Sequence, residues 1–246
     1  TGGPFPYCIT MQQALAKDCE VKKHELVLTN SFSPLTLESP LREDEYREMI
    51  KHKLAELEAN AALIALEEYK STVLLLDGSL VRFKIEAPLL WERLKTKALI
   101  QDTVIVGVVE GISTSIISQN LQGELPLAMR EASDWEMLFD LLEVGEVLTM
   151  KPGLFKEGFR TCFMRASRDP KPIGIDLLEE QQGNIHEVCS LILSITPEDS
   201  RGIPLWLDVI DQKVRITDAM MEGLISTYLG EDYMEFLVPK RKKRQQ

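Results

Sequence analysis

The chain has 246 residues, of which 44% are hydrophobic, 27% charged and 7% aromatic, ordinary globular usage with enough apolar material for one sizeable core. No apolar run approaches the roughly 18 residues a membrane span needs, and no charged, apolar, small-residue leader is visible, so the expectation is a soluble, cytoplasmic protein. The net charge of −11 comes from 28 Lys+Arg against 39 Asp+Glu; without the five cations of Lys240–Arg244 the body carries 23 against 39, a net of −16, which excludes a stand-alone nucleic-acid coat because such a surface repels phosphate.

Residues 1–40 read as irregular, with one strand from His24 to Thr29 that alternates like a half-buried edge. Pro40-Leu41-Arg42-Glu43-Asp44-Glu45 opens a long helix, since proline and then acids suit a helix N-terminus. That helix runs to about Lys70 with Leu54, Leu57, Ala61 and Ile64 on one face. Ser71 to Asp77 follows as a short run apolar on both faces, the pattern of a central, doubly covered strand. A helix over Pro88–Leu99 leads to a second buried strand, Thr103–Val109, and helices fit 112–122 and 134–143.

The segment 145–177 turns β-rich, with strands at Glu146–Met150, Phe159–Ala166 and Pro172–Leu177 separated by Pro152-Gly153 and Asp169-Pro170. Helices are expected from Asn184 to about Ile195, from near Gly202-Ile203-Pro204, and from Thr217 (as N-cap) to Leu229. The order argues for an α/β domain with a mixed sheet over residues 1–239, followed by a disordered basic tail at 240–246. Cys8, Cys19, Cys162 and Cys189 lack CxxC spacing, so they read as free thiols of a reducing cytoplasm rather than a zinc site. His24, His52 and His186 lie far apart and read as solvated or capping residues.

The sharpest local feature is Leu74-Leu75-Leu76-Asp77-Gly78-Ser79-Leu80. An acid at the C-terminal end of a buried strand stands where open α/β sheets place their sites. Gly78 lets the backbone turn tightly, and a carboxylate there needs a cation beside it. Taken as a tripeptide, Asp-Gly-Ser fits a plain turn equally well.

With its context the segment resembles the NurA nuclease family. In that family a long helix contributing a Glu leads into a strand ending in Asp-Gly-Ser, as Glu45 through Glu56, Glu58 and Asn60 to Lys70 lead into Thr72–Leu80 here. Val104-Ile105-Val106-Gly107-Val108-Val109 is similar to the strand that follows. Gly202-Ile203-Pro204-Leu205-Trp206-Leu207-Asp208-Val209-Ile210-Asp211 is similar to a Gly-Tyr-Pro-x-x-Leu-x-x-Ala-His segment that opens a late helix. The resemblance spans roughly residues 42–229.

It implies an RNase H-like fold and manganese-dependent cleavage of DNA (magnesium being the alternative ion) in end resection during double-strand break repair. It further implies a homodimer working beside a HerA-like hexameric ATPase, with no membrane association. By position Asp77 takes the strand acid, Glu58 the helix acid with Glu56 in reserve, and Asp211 falls where the family has His; together they form the expected catalytic and metal-ligating set. Hard divalent ions take oxygen ligands, so acids rather than Cys or His should dominate. Asp176 resembles an acid on a late strand and reads as structural. Three departures favour the rival reading of an inactive scaffold or docking subunit for the ATPase: Asp211 in place of His, Ile203 in place of Tyr, and no match to an earlier Asp-Gly-Ser strand, expected upstream of Thr1. Without that earlier acid only one ion is held well.

Overall fold

The computed structural model describes residues 10–18, 25–33, 41–151, 156 and 158–229. His24, Pro40, Cys8, Cys19, Pro152-Gly153 and the 240–246 tail lie outside them. Two strands, β1 (Thr10–Lys17) and β2 (Glu25–Phe32), form an antiparallel hairpin. Only the second was expected from the sequence. Its partner escapes the alternation rule because Gln12 is buried, its amide donating to the Ile50 carbonyl at 2.7 Å.

Helix α1 (Glu43–Glu68) packs on this hairpin. Glu45 reaches back to the Arg42 amide (2.9 Å), and three acids fill the first turn, so the end rich in free N–H groups is both capped and charge-matched. The expected apolar stripe is corrected. Of the expected residues Ala61 is buried, while Leu54, Leu57 and Ile64 are only half-buried, and Ala55, Ala59, Ala62 and Leu66 are buried as well. Small side chains let the helix approach its neighbours closely, so alanine rather than leucine marks the inward face.

The main sheet has five strands in the order β3-β4-β7-β6-β5: β3 (Val73–Asp77), β4 (Val104–Val109), β5 (Val147–Thr149), β6 (Phe159–Met164) and β7 (Ile173–Leu178). Only β3 and β4 are parallel; the other neighbours are antiparallel. The expected mixed α/β sheet is therefore present, but β3 is an edge strand rather than a central one. An apolar run on both faces reports that the faces are covered, and carries no information about whether both edges are paired.

On one face α1 meets α2 (Leu80–Glu86) and α3 (Pro88–Ile100), with Phe83, Trp91, Leu94 and Ile105 in the shared core. Helix α2 is too short for a periodic pattern to reveal it. On the other face α6 (Ile185–Ile195) and α7 (Leu205–Val214) cover Val106, Val108, Cys162 and Ile175. Successive β4 residues thus enter opposite cores, as the two-residue strand period requires. The helices expected at 112–122 and 134–143 shrink to α4 (Ile116–Asn120) and α5 (Asp134–Leu138). Helix α8 (Asp218–Leu229) starts as expected, with the Thr217 hydroxyl accepting from the Met220 amide at 3.2 Å.

Candidate functional site

Asp77 ends β3 opposite Val108 of β4. The chain then turns across β4: the Gly78 amide donates to the Val108 carbonyl at 2.8 Å, and Gly78 adopts φ +91°. A side chain at Gly107 would stand 2.7 Å from the Gly78 carbonyl oxygen and 2.9 Å from Leu80 Cγ. Two glycines therefore set the tip of β3, one supplying the left-handed turn and the other the space beneath it.

Because β3 and β4 are parallel, Glu110, which follows β4, comes to the same end of the sheet as Asp77. Asp211 reaches it from α7. A small polar cleft of about 100 Å³ is lined by Asp77, Glu110, Arg201, Ile203, Leu207 and Asp211. Arg201 donates to Glu110 at 2.8 and 3.0 Å and to Asp208 at 2.6 and 3.2 Å. Asp77 stands at the open mouth, yet its carboxyl is pushed above the usual range, first by the removal of water around it and then by the Asp211 and Glu110 charges; Arg82 and Arg201 pull the other way.

Glu58, on α1, is half-buried and ion-paired with Arg82 of α2. Burial raises its carboxyl, Arg82 opposes the rise, and the Asp77 and Glu86 charges add to it. Glu56 is exposed. Arg82→Met should therefore send Glu58 still higher, since burial and Asp77 remain while the compensating cation is gone; a carboxyl-carbon NMR titration of Glu58 reads this directly, and an unchanged midpoint would contradict the pairing.

Asp77, Glu58 and Asp211 also border one larger cleft of about 740 Å³. Gln13–Asp18 and Ser71–Asp77 line it as consecutive runs, so it lies between β1 and β3. Ala61, Ala62 and Ala65 of α1 and Trp206 and Ile210 of α7 complete the walls. The structure thus gathers the three expected residues at one cleft. It does not gather Asp176, which is wholly buried on β7 and paired with Lys156.

Among the described residues no group of three or more His, Cys, Asp or Glu side chains is arranged to hold a metal ion. The donor chemistry nevertheless suits a hard divalent cation: the acids are oxygen donors, and the repulsion that raises Asp77 is what such an ion would relieve. His52 and His186 are exposed, and the His52 ring contacts the Glu86 carbonyl. Cys162 and Cys189 are buried free thiols. Sequence reasoning missed Glu110, Arg201 and Arg82 as members of the site. Glu110 had a signal, an acid followed by glycine after each parallel strand (Asp77-Gly78, Glu110-Gly111), whereas the two arginines had none.

Among the described residues no helix is long and apolar enough to cross a membrane. No curated protein sequence matches the chain. The structure is similar to the crystal structure of the NurA nuclease from Sulfolobus solfataricus, with a TM-score of 0.55 at 12% identity over 92% of this chain and 83% of that one. That likeness supports the α/β fold with its mixed five-stranded sheet. The family model for the NurA domain matches residues 13–216. The chain belongs to the NurA domain family.

Proposed function

We propose that the protein is a metal-dependent deoxyribonuclease that hydrolyses phosphodiester bonds in DNA end resection at double-strand breaks. The observation that carries this reading is the convergence of Asp77, Glu58 and Asp211 on the cleft that runs along β3, with Asp77 at the C-terminal end of that strand in a setting that disfavours its charge. Asp77 and Asp211 would hold the ion, with Glu58 joining once it releases Arg82. Manganese, or magnesium in its place, would supply an activated water and stabilise charge developing on the phosphate.

The chain's own residues set the conditions for that chemistry. Asp77 is carried on a tip that two glycines and the β4 ladder keep in place. Arg82 and Arg201 lie beside the acids and limit their mutual repulsion. Freed from Glu58, the Arg82 guanidinium would be available to a phosphate oxygen. The acidic body attracts little DNA by itself, which suits a homodimer fed by a HerA-like hexameric ATPase in the cytoplasm.

A second reading, a catalytically inactive docking subunit of the same ATPase, is favoured by the Glu58–Arg82 pair and by the departures at Ile203 and Asp211. Incubation with linear DNA in Mn²⁺, against the same protein in chelator, separates the two. Cleavage that needs the ion supports the nuclease; none in either condition supports the docking subunit.

A further inference from the structure

Asp176 sits in the middle of β7, opposite Gly107 on one side and Thr161 on the other, with no solvent contact. Four groups donate to its carboxylate. Thr161 Oγ1 reaches Oδ1 at 2.7 Å; Lys156 Nζ reaches both oxygens, at 2.8 and 2.6 Å; and on Oδ2 arrive the Ser79 hydroxyl at 2.8 Å and the Leu80 amide at 3.3 Å. The last two belong to the turn that follows Asp77. Lys156 also donates to Ser79 Oγ at 3.0 Å, so the cation and the turn are joined twice.

A buried ion pair is weak evidence for stability, because the desolvation of both charges offsets their attraction. What this one does achieve is placement. The Asp77 end of β3 is held by the β4 ladder, through Gly78 to Val108, and from beyond β4 by a carboxylate two strands away in the sheet. The Ser79 hydroxyl is thus held by Asp176 and its counter-ion Lys156 together.

We infer that Asp176, with Lys156 as its counter-ion, is a positioning residue for the Asp77 site: it clamps the Ser79–Leu80 turn and thereby fixes where the Asp77 carboxylate points. This deepens the nuclease reading and rests on it. Asp176 touches neither Asp77 nor the cleft, so its effect passes through Ser79 and Leu80.

The test is Asp176→Asn, which keeps the size and the Thr161 contact while weakening the grip on Lys156 and the turn. Amide hydrogen exchange should accelerate at Gly78 and Leu80 while Ile105 and Ile192, in the two cores, stay protected. Manganese affinity, measured by calorimetry on protein without DNA, should fall about 10–100-fold, the range typical when a group supporting a ligand is lost. Where cleavage is measured, kcat should fall with KM for DNA unchanged. If Asp176→Asn does not fold, Ser79→Ala removes the clamp from the turn's side and should shift manganese affinity in the same direction. Wild-type protein that binds manganese, with a folded variant binding it within twofold, would overturn the inference and leave the nuclease reading standing. Wild-type protein that takes no manganese would overturn both.

Discussion

Asp77→Asn should lower manganese-dependent DNA cleavage by at least about 100-fold, beyond the 10–100-fold that loss of a group merely supporting a metal ligand brings, and it should do so without unfolding the protein. Asparagine keeps the shape of the β3 tip and the Gly78–Val108 hydrogen bond, so a loss of activity cannot be ascribed to a lost fold. The variant should in fact melt higher than wild type when no metal is present. The Asp77 carboxyl is raised in the folded chain by desolvation and by Asp211 and Glu110, so the folded state retains a proton that the unfolded state has already released. Stability therefore falls as pH rises from the ordinary aspartate range through the raised folded value, and is level above it. Asparagine has no such loss. The gap in melting temperature between Asp77→Asn and wild type should open across that window and then stay constant; adding Mn²⁺ should close or reverse it, because an ion bound to the folded state stabilises wild type alone. A gap that is absent at all pH values would remove the electrostatic basis of the site.

Gly107→Ala should damage fold and site together. The added methyl group would meet the Gly78 carbonyl oxygen at 2.7 Å and Leu80 Cγ at 2.9 Å. The first of these is backbone and cannot swing aside, so the turn after β3 must lift. Lifting it strains three contacts: the Gly78 amide to Val108, and the Ser79 and Leu80 donors to Asp176. Overpacking of this kind costs about 1–3 kcal/mol, which for a chain of this size corresponds to about 2–4 °C of melting temperature for each kcal/mol. Activity should fall further than stability explains, since the displaced segment carries Asp77. Thermal melting and cleavage of the same preparation test this; a variant that melts with wild type and cleaves normally would show that the turn has room to move.

How far the sequence reveals the site depends on the range of the interactions concerned. The Asp77-Gly78-Ser79 tip is legible because its causes are local: an apolar strand ending in an acid, and a glycine free to adopt a left-handed turn. The long helix is legible from its acidic first turn and its freedom from glycine and proline. Its inward face is legible only in part: Ala61 is buried as expected, but Leu54, Leu57 and Ile64 are half-exposed, and Ala55, Ala59 and Ala62 are what allow close approach. The rank of β3 in the sheet is misread for a related reason. Side-chain patterning reports what covers a strand's faces, while edges are filled by backbone groups that every sequence carries. The first hairpin strand escapes notice because its buried Gln12 amide donates to a carbonyl from α1, a partner 38 positions along the chain.

From its own residues the chain determined an acidic α/β protein with a carboxylate at a strand tip, because turn chemistry, capping and hydrophobic period all act over a few neighbouring positions. Only the folded chain decided that Glu110 and Arg201 join Asp77 and Asp211, that Glu58 is held by Arg82, and that Asp176 faces inward to grip the turn rather than outward to a ligand. The hydrogen-bonded pairs among these span 24 to 97 positions; packing forms them, and no local pattern encodes which charge will find which partner.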